Sequence, residues 1–313
     1  MKRILIFGMG GIGGYVASRL AALGSEIETI FIARTAHLEA IKSKGLRFRS
    51  PDGSETTIRP SIATDNPSSA GGTVDGVFIC TKGYDLAGAC RALVPVVGPR
   101  TIILPLLNGA DIYERCRSVI QDGVVLPGGI YISSSVAEPG LVVQSGGKGN
   151  LFLGPEPGKK NVDYAPFKTL LDRASFPYEW QDDPFPAIWK KYLFIAAYGL
   201  VTGWTGKTIG EVIAEDELAG TTLAIQREIA AIALRRRINL PPDAAAAAFE
   251  KGRAFPPATK TSFQRDLETP GKPNEGELFG ETILRLGKET GVPTPVTERV
   301  YGHIRDAMGK KGA

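Results

Sequence analysis

The sequence is poor in the residues that most often carry catalysis and metal binding. Its 313 residues include two histidines, His37 and His303, and three cysteines, Cys80, Cys90 and Cys116. A Ser-His-Asp triad, a histidine-rich metal centre or a histidine-based dehydrogenase would have to use one of those two histidines. His37 lies in RTAHLEAIK, an amphipathic helical pattern, and His303 in the last helical stretch, so both read as surface or packing residues. Any proton donor is then expected to be a lysine, a carboxylic acid or a tyrosine. The cysteines are odd in number and lack paired ligand spacing, which argues against a disulfide framework and against a metal site. A dense basic tract is also missing. The net charge of +4 comes from dispersed Lys and Arg, so neither nucleic acid nor a membrane surface is an expected partner, whereas an anionic small molecule is. The first apolar run, Ile4 to Phe7, is too short for a signal peptide or a membrane span, and a cytoplasmic protein is expected.

What is present is an alternation of buried strands and helices. RILIF (3–7) reads as a strand, GMGGIGG follows at once, and Ile12, Val16, Leu20 and Leu23 recur at helical spacing. A second β-branched run spans Glu28 to Ala33, and HLEAIKSKG ends at Gly45. LRFRSPDGSETTIRP has the form of a hairpin turning at Asp52-Gly53. Further strands are expected at 76–80, 101–104 and 124–126, with a helical crossover in LAGACRALVPVVG, which predicts a mostly parallel sheet. From 128 to about 154 the pattern alternates and turns at Pro139-Gly140, as antiparallel strands do. After the proline-broken QDDPFPA (181–187) strand signals vanish. Helices are expected over 189–200, 211–237, 242–252, 275–291 and 294–308. The fold class is therefore α/β: a Rossmann-type doubly wound domain over 1–185 and an all-α domain over 186–313.

Gly8, Gly10 and Gly13 form G-x-G-x-x-G between a buried strand and an amphipathic helix. In that context Gly8 permits the tight turn, Gly10 lets backbone approach a pyrophosphate, and Gly13 allows close helix packing. The helix N-terminus offers free N–H groups to the anion. Gly8, Met9, Gly10, Gly11, Ile12 and Gly13 are thus the expected dinucleotide turn; the alternative is a merely tight turn. NAD sites usually end the second strand in an acidic residue, but here the strand runs Ile32-Ala33 into Arg34. A cation there favours a 2′-phosphate, so NADPH is the expected cofactor, unless Arg34 is only a solvated residue at a helix start.

The chain as a whole resembles the ketopantoate reductase (2-dehydropantoate 2-reductase) family. Besides GMGGIGG it carries CTKGYD (80–85), LLNGAD (106–111), PGG (127–129), AEPG (137–140), IWKK (188–191) and TSFQRD (261–266) in the family's order. The resemblance implies an NADPH-binding Rossmann domain joined to a helical domain, with the active site in the cleft between them. It places Lys82 and Asn108 at the nicotinamide end of the cofactor and near the substrate. It makes Lys191 the catalytic lysine and Glu275 the glutamate beside it, with Glu277 and Glu281 as alternatives, and Ser262 a substrate ligand or else a helix N-cap. The implied reaction is reduction of ketopantoate to pantoate, on the route to pantothenate. Four and eight residues after its catalytic lysine the family has two asparagines, and here those positions are Ile195 and Gly199. That departure points to a different or more apolar 2-oxo acid. A reductase of another oxo acid or of an imine, and a non-catalytic NADP(H)-binding sensor, remain alternatives, and a homodimer is allowed.

Overall fold

The computed structural model describes residues 1–269, 271 and 273–311. Residues 270, 272, 312 and 313 of the expected second domain lie outside the described residues. The chain forms two compact units, Met1–Leu107 with Ile112–Pro184, and Asn108–Asp111 with Phe185–Ala313. The sequence reading leaves 108–111 in the first domain; the structure groups this segment with the second unit, where Arg285 pairs with the buried Asp111 carboxylate.

The first unit opens with β1 (Arg3–Phe7), α1 (Gly11–Leu20), β2 (Glu28–Ile32) and α2 (Thr35–Lys44). A hairpin follows, β3 (Leu46–Arg49) and β4 (Glu55–Ile58), then β5 (Ile62–Thr64), β6 (Gly76–Ile79), α3 (Leu86–Leu93), β7 (Ile102–Pro105), α4 (Ile112–Arg117) and β8 (Val124–Val125). Six of these strands run parallel in the order β5-β2-β1-β6-β7-β8, the doubly wound order that reverses direction beside β1. Leu5 lies opposite both Ile30 and Val77. Strands enclosed on both faces need apolar residues at every position, and β6 and β7 are buried throughout. The long antiparallel pair β9 (Gly128–Glu138) and β10 (Leu141–Leu153) forms a second sheet with β3, β4 and β11 (Tyr178–Trp180). Gly14 lets α1 press on it, because a Cβ there would meet the Val142 side chain at 2.7 Å. Helix α5 (Ala165–Arg173) buries Phe167, Leu170 and Leu171 in the same core.

In the second unit the order is α6 (Phe185–Thr205), α7 (Ile209–Ala214), α8 (Asp216–Arg235), α9 (Ala244–Glu250), α10 (Ser262–Glu268), a π-turn at Glu277–Glu281, α11 (Thr282–Thr290) and α12 (Pro295–Lys311). Helix α6 buries residues on every side, as a helix ringed by others must; α8, α9, α10 and α12 pack around it.

Several boundaries differ from the sequence reading. The stretch 211–237 is two helices, broken where Glu215 takes extended backbone (φ −106°, ψ 112°), with no glycine or proline to announce the break. The helix expected from 275 begins as the π-turn. Strands β5 and β11 are three residues each, and the short helices α5 and α10 carry too few periodic positions to stand out.

Candidate active site

The first unit builds a cavity of about 440 Å³ at the carboxyl ends of β1, β2 and β6. Gly8 turns the chain with φ +96° and donates its N–H to Ile32 O at 3.0 Å. A Cβ on Gly13 would lie 2.0 Å from Gly8 O, so only glycine lets α1 start so close to the turn. A Cβ on Gly10 would meet nothing within 4 Å: this position faces open space. No side chain caps α1, which leaves its first N–H groups available to an anion. On the cavity wall the Thr81 hydroxyl oxygen is buried with no hydrogen-bond partner. An open backbone cradle, uncapped amides and an unsatisfied hydroxyl fit a dinucleotide pyrophosphate.

The cavity brings together Gly8, Met9, Gly10, Arg34 and Lys82. Gly11 instead packs against β9, where its Cβ would collide with Ser134 O at 2.2 Å, and Ile12 packs against the core. Arg34 precedes α2 with its side chain 70% exposed, and its guanidinium donates to Asp85 Oδ2 at 2.6 Å. Asp85 closes the CTKGYD motif and begins α3; sequence reading passed over it, although its place in that motif was in view. Lys82 ends the loop after β6.

The remaining expected residues belong to the second unit. Lys191 lies on α6, where burial, joined by the Lys251 charge and opposed by Glu275, pulls its ammonium down to about 8. Neighbouring Lys190 is exposed. Glu275, whose charge raises the Lys191 pKa, is 3% exposed, and Glu281 accepts from Tyr301 Oη at 3.3 Å. Tyr192 explains the placement, because its hydroxyl donates to Leu278 O at 2.6 Å and ties the π-turn to α6 one residue beyond Lys191. Lys251 is a charge that sequence reading missed. It is brought in by Gly252, whose Cβ would sit 2.2 Å from Tyr198 Oη, and its ammonium stands 5.5 Å from the Phe194 ring.

Ile195 and Gly199 continue the Lys191 face. Beside Gly199 the rings of Phe263 and Phe279 meet edge to face at 5.3 Å, and Phe194 stacks on Phe255 at 5.1 Å. Ser262 is the first residue of α10 and exposed; the helix is capped by Thr261, whose hydroxyl accepts from Gln264 N at 3.2 Å. The N-cap reading for Ser262 is therefore off by one residue. Asn108 sits in the turn after β7, in the segment that belongs to the second unit. Among the described residues no cluster of His, Cys, Asp and Glu could hold a metal ion, and no helix is long and apolar enough to cross a membrane.

The family model described as ketopantoate reductase PanE/ApbA matches residues 4–158, and its C-terminal counterpart matches residues 185–307. The chain belongs to the ketopantoate reductase family, a family of oxidoreductases. This family member is 26% identical over 330 residues to a 2-dehydropantoate 2-reductase of Mesorhizobium japonicum, covering 99% of each chain. Among solved structures it is similar to the 2-dehydropantoate 2-reductase of Porphyromonas gingivalis W83, with 31% identity, a TM-score of 0.81, and coverage of 97% of this chain and 99% of that one. A D-mandelate dehydrogenase, solved with NADH and anilino(oxo)acetate, shares the fold at 19% identity with a TM-score of 0.87, covering 99% of this chain and all of the other.

Proposed function

We propose that this chain is an NADPH-dependent reductase that converts a 2-oxo acid to the corresponding 2-hydroxy acid, with Lys191 as proton donor. Reduction needs a hydride at the carbonyl carbon and a proton at its oxygen. A nicotinamide cofactor, when bound, would supply the hydride. The observation that carries the reading is the desolvated Lys191 ammonium, poised near 8 beside the buried Glu275. A general acid works best with a pKa close to the working pH, and Lys191 is protonated at neutral pH yet held less firmly than a solvated lysine. Glu275 stabilises the charged form, and Lys251 supplies positive charge suited to a substrate carboxylate. On the first unit, Arg34 is the group suited to a 2′-phosphate, with Lys82 lining the same cavity. Asn108 and Ser262 remain proposed ligands by the family's pattern.

Ketopantoate is the family's substrate, but a second reading is favoured by Ile195 and Gly199. Two amide partners are missing, and the neighbouring side chains are Phe263 and Phe279. A site built to bind a hydroxyl discriminates through such partners, and a site without them suits a substrate bearing an apolar or aromatic group next to the oxo acid. The test is NADPH oxidation with ketopantoate beside branched-alkyl and phenyl-substituted 2-oxo acids, with NADH run in parallel. Turnover of the apolar acids over ketopantoate supports the second reading. NADPH binding without turnover of any 2-oxo acid would overturn the assignment as a reductase.

A further inference from the structure

The glycine turn has a weak point that its sequence does not address. The peptide planes flanking Met9 lie between Gly8 and Gly10, the residues that restrain backbone rotation least. Met9 O is nevertheless held: His37 Nε2 lies 2.8 Å from it. The other ring nitrogen, Nδ1, accepts the N–H of Gly140 at 3.0 Å. An N–H can donate only to an unprotonated nitrogen, so the ring is neutral, carries its hydrogen on Nε2 and donates it to Met9 O. Burial pushes the imidazole below its usual range, which favours the neutral ring.

The far end of this bridge is firm. Gly140 turns β9 into β10 with φ +83°, its carbonyl accepts from Arg47 N at 2.8 Å, and a Cβ on it would lie 2.9 Å from the Ala40 Cβ on α2. His37, in the first turn of α2, thus connects a turn braced on two sides to the turn that must not rotate. In a trans peptide the carbonyl and the following N–H point in opposite directions. Fixing Met9 O therefore fixes the direction of the Gly10 N–H, and Gly10 is the position that faces open space.

We propose that His37 is a positioning residue for the dinucleotide: by spanning Met9 O and Gly140 N it holds the Met9–Gly10 peptide in the orientation that receives the pyrophosphate, which makes the β9–β10 turn part of the cofactor site. The proposal rests on the reading of this cavity as a dinucleotide site. It concerns the part of the cofactor common to NADH and NADPH, unlike Arg34.

The experiment measures binding of NADH and NADPH to the whole chain by fluorescence titration for wild type, His37→Phe and His37→Gln. Phenylalanine keeps the packed ring and loses both bonds; glutamine keeps a donor near Met9 O. His37→Phe should weaken both cofactors alike, by about tenfold for a lost half-buried hydrogen bond, and His37→Gln should recover part of the loss. Where turnover is measured, the KM for the cofactor should rise while kcat at saturation stays within about threefold. A wild type that binds the cofactors and a His37→Phe that binds them equally well would overturn this inference alone; a wild type that binds neither would overturn the dinucleotide reading with it. In case His37→Phe does not fold, 15N NMR of the wild-type histidines gives a second measure. His37 should show the neutral Nε2–H form at neutral pH, and its Nε2–H resonance should shift on adding NADH. A resonance that ignores the cofactor would equally overturn the inference.

Discussion

The Arg34 guanidinium meets the Asp85 carboxylate at 2.6 Å in the cavity at the carboxyl ends of β1, β2 and β6, with the arginine side chain 70% exposed and the aspartate 30% exposed. An ion pair so open to solvent is worth at most about 1 kcal/mol. A 2′-phosphate can therefore take Arg34 from its partner. The wild type is expected to bind NADPH about tenfold or more tightly than NADH, the scale of one charge-assisted contact of ~1.5–3 kcal/mol. Arg34→Asp should erase or reverse that preference, and Asp85→Asn should leave NADPH binding intact or tighten it. Equal affinities of the wild type for both cofactors would refute the role given to Arg34.

Two alanine substitutions in one motif should fail in different ways. A Cβ at Gly10 meets nothing within 4 Å, whereas one at Gly13 would sit 2.0 Å from Gly8 O. Gly10→Ala should keep the wild-type melting temperature and lose cofactor affinity, because the methyl occupies space meant for the ligand. Gly13→Ala should lower the melting temperature, because α1 has to move off β1. Thermal denaturation and cofactor titration of both variants check this.

Lys191→Ala should lower kcat by roughly 10²–10⁴-fold, the usual contribution of a general acid. Its dinucleotide affinity should hold, since the glycine turn and Arg34 belong to the other unit. Lys190→Ala is the control, because that residue is exposed and points about 100° away around the helix. The pH profile carries the sign. With its ammonium held at about 8, Lys191 is a donor below that pH and not above it, so reduction should fall as pH rises through about 8. A profile flat to pH 9 in the wild type would remove Lys191 from the role.

Restoring the amides tests the pocket. A Cβ on Gly199 would rest 3.6 Å from Phe279 and 3.7 Å from Phe263, ordinary contact distances, and Ile195 is half-buried. In the double substitution Ile195→Asn with Gly199→Asn the new Cβ therefore has room, and thermal denaturation checks that the variant folds. It should raise kcat/KM for ketopantoate by about tenfold, one recovered hydrogen bond, and lower it for phenyl-substituted acids. An unchanged ratio would show that neither position sets specificity.

The sequence alone determined the strand, glycine turn and helix at residues 3–20, the parallel sheet and the change to helices after Pro184. These follow from local rules. A strand enclosed on both faces is an unbroken apolar run, and a helix that starts against a turn needs glycine at fixed spacing, so a short window contains the whole cause. The position of Arg34 was legible for the same reason: it stands two residues past the end of the second strand, at the start of α2. The break at Glu215 was not: no helix breaker stands there, and the extended backbone of that residue follows no local sequence rule. Tertiary structure alone decided which lysine of Lys190-Lys191 is desolvated, that the charges of Glu275 and Lys251 act on it, and that His37 is held by Gly140, 103 residues away. A pKa depends on the dielectric and charges around a group, and a bridging hydrogen bond on two backbone turns meeting. Both are set by neighbours remote in sequence, which no local pattern of residues contains.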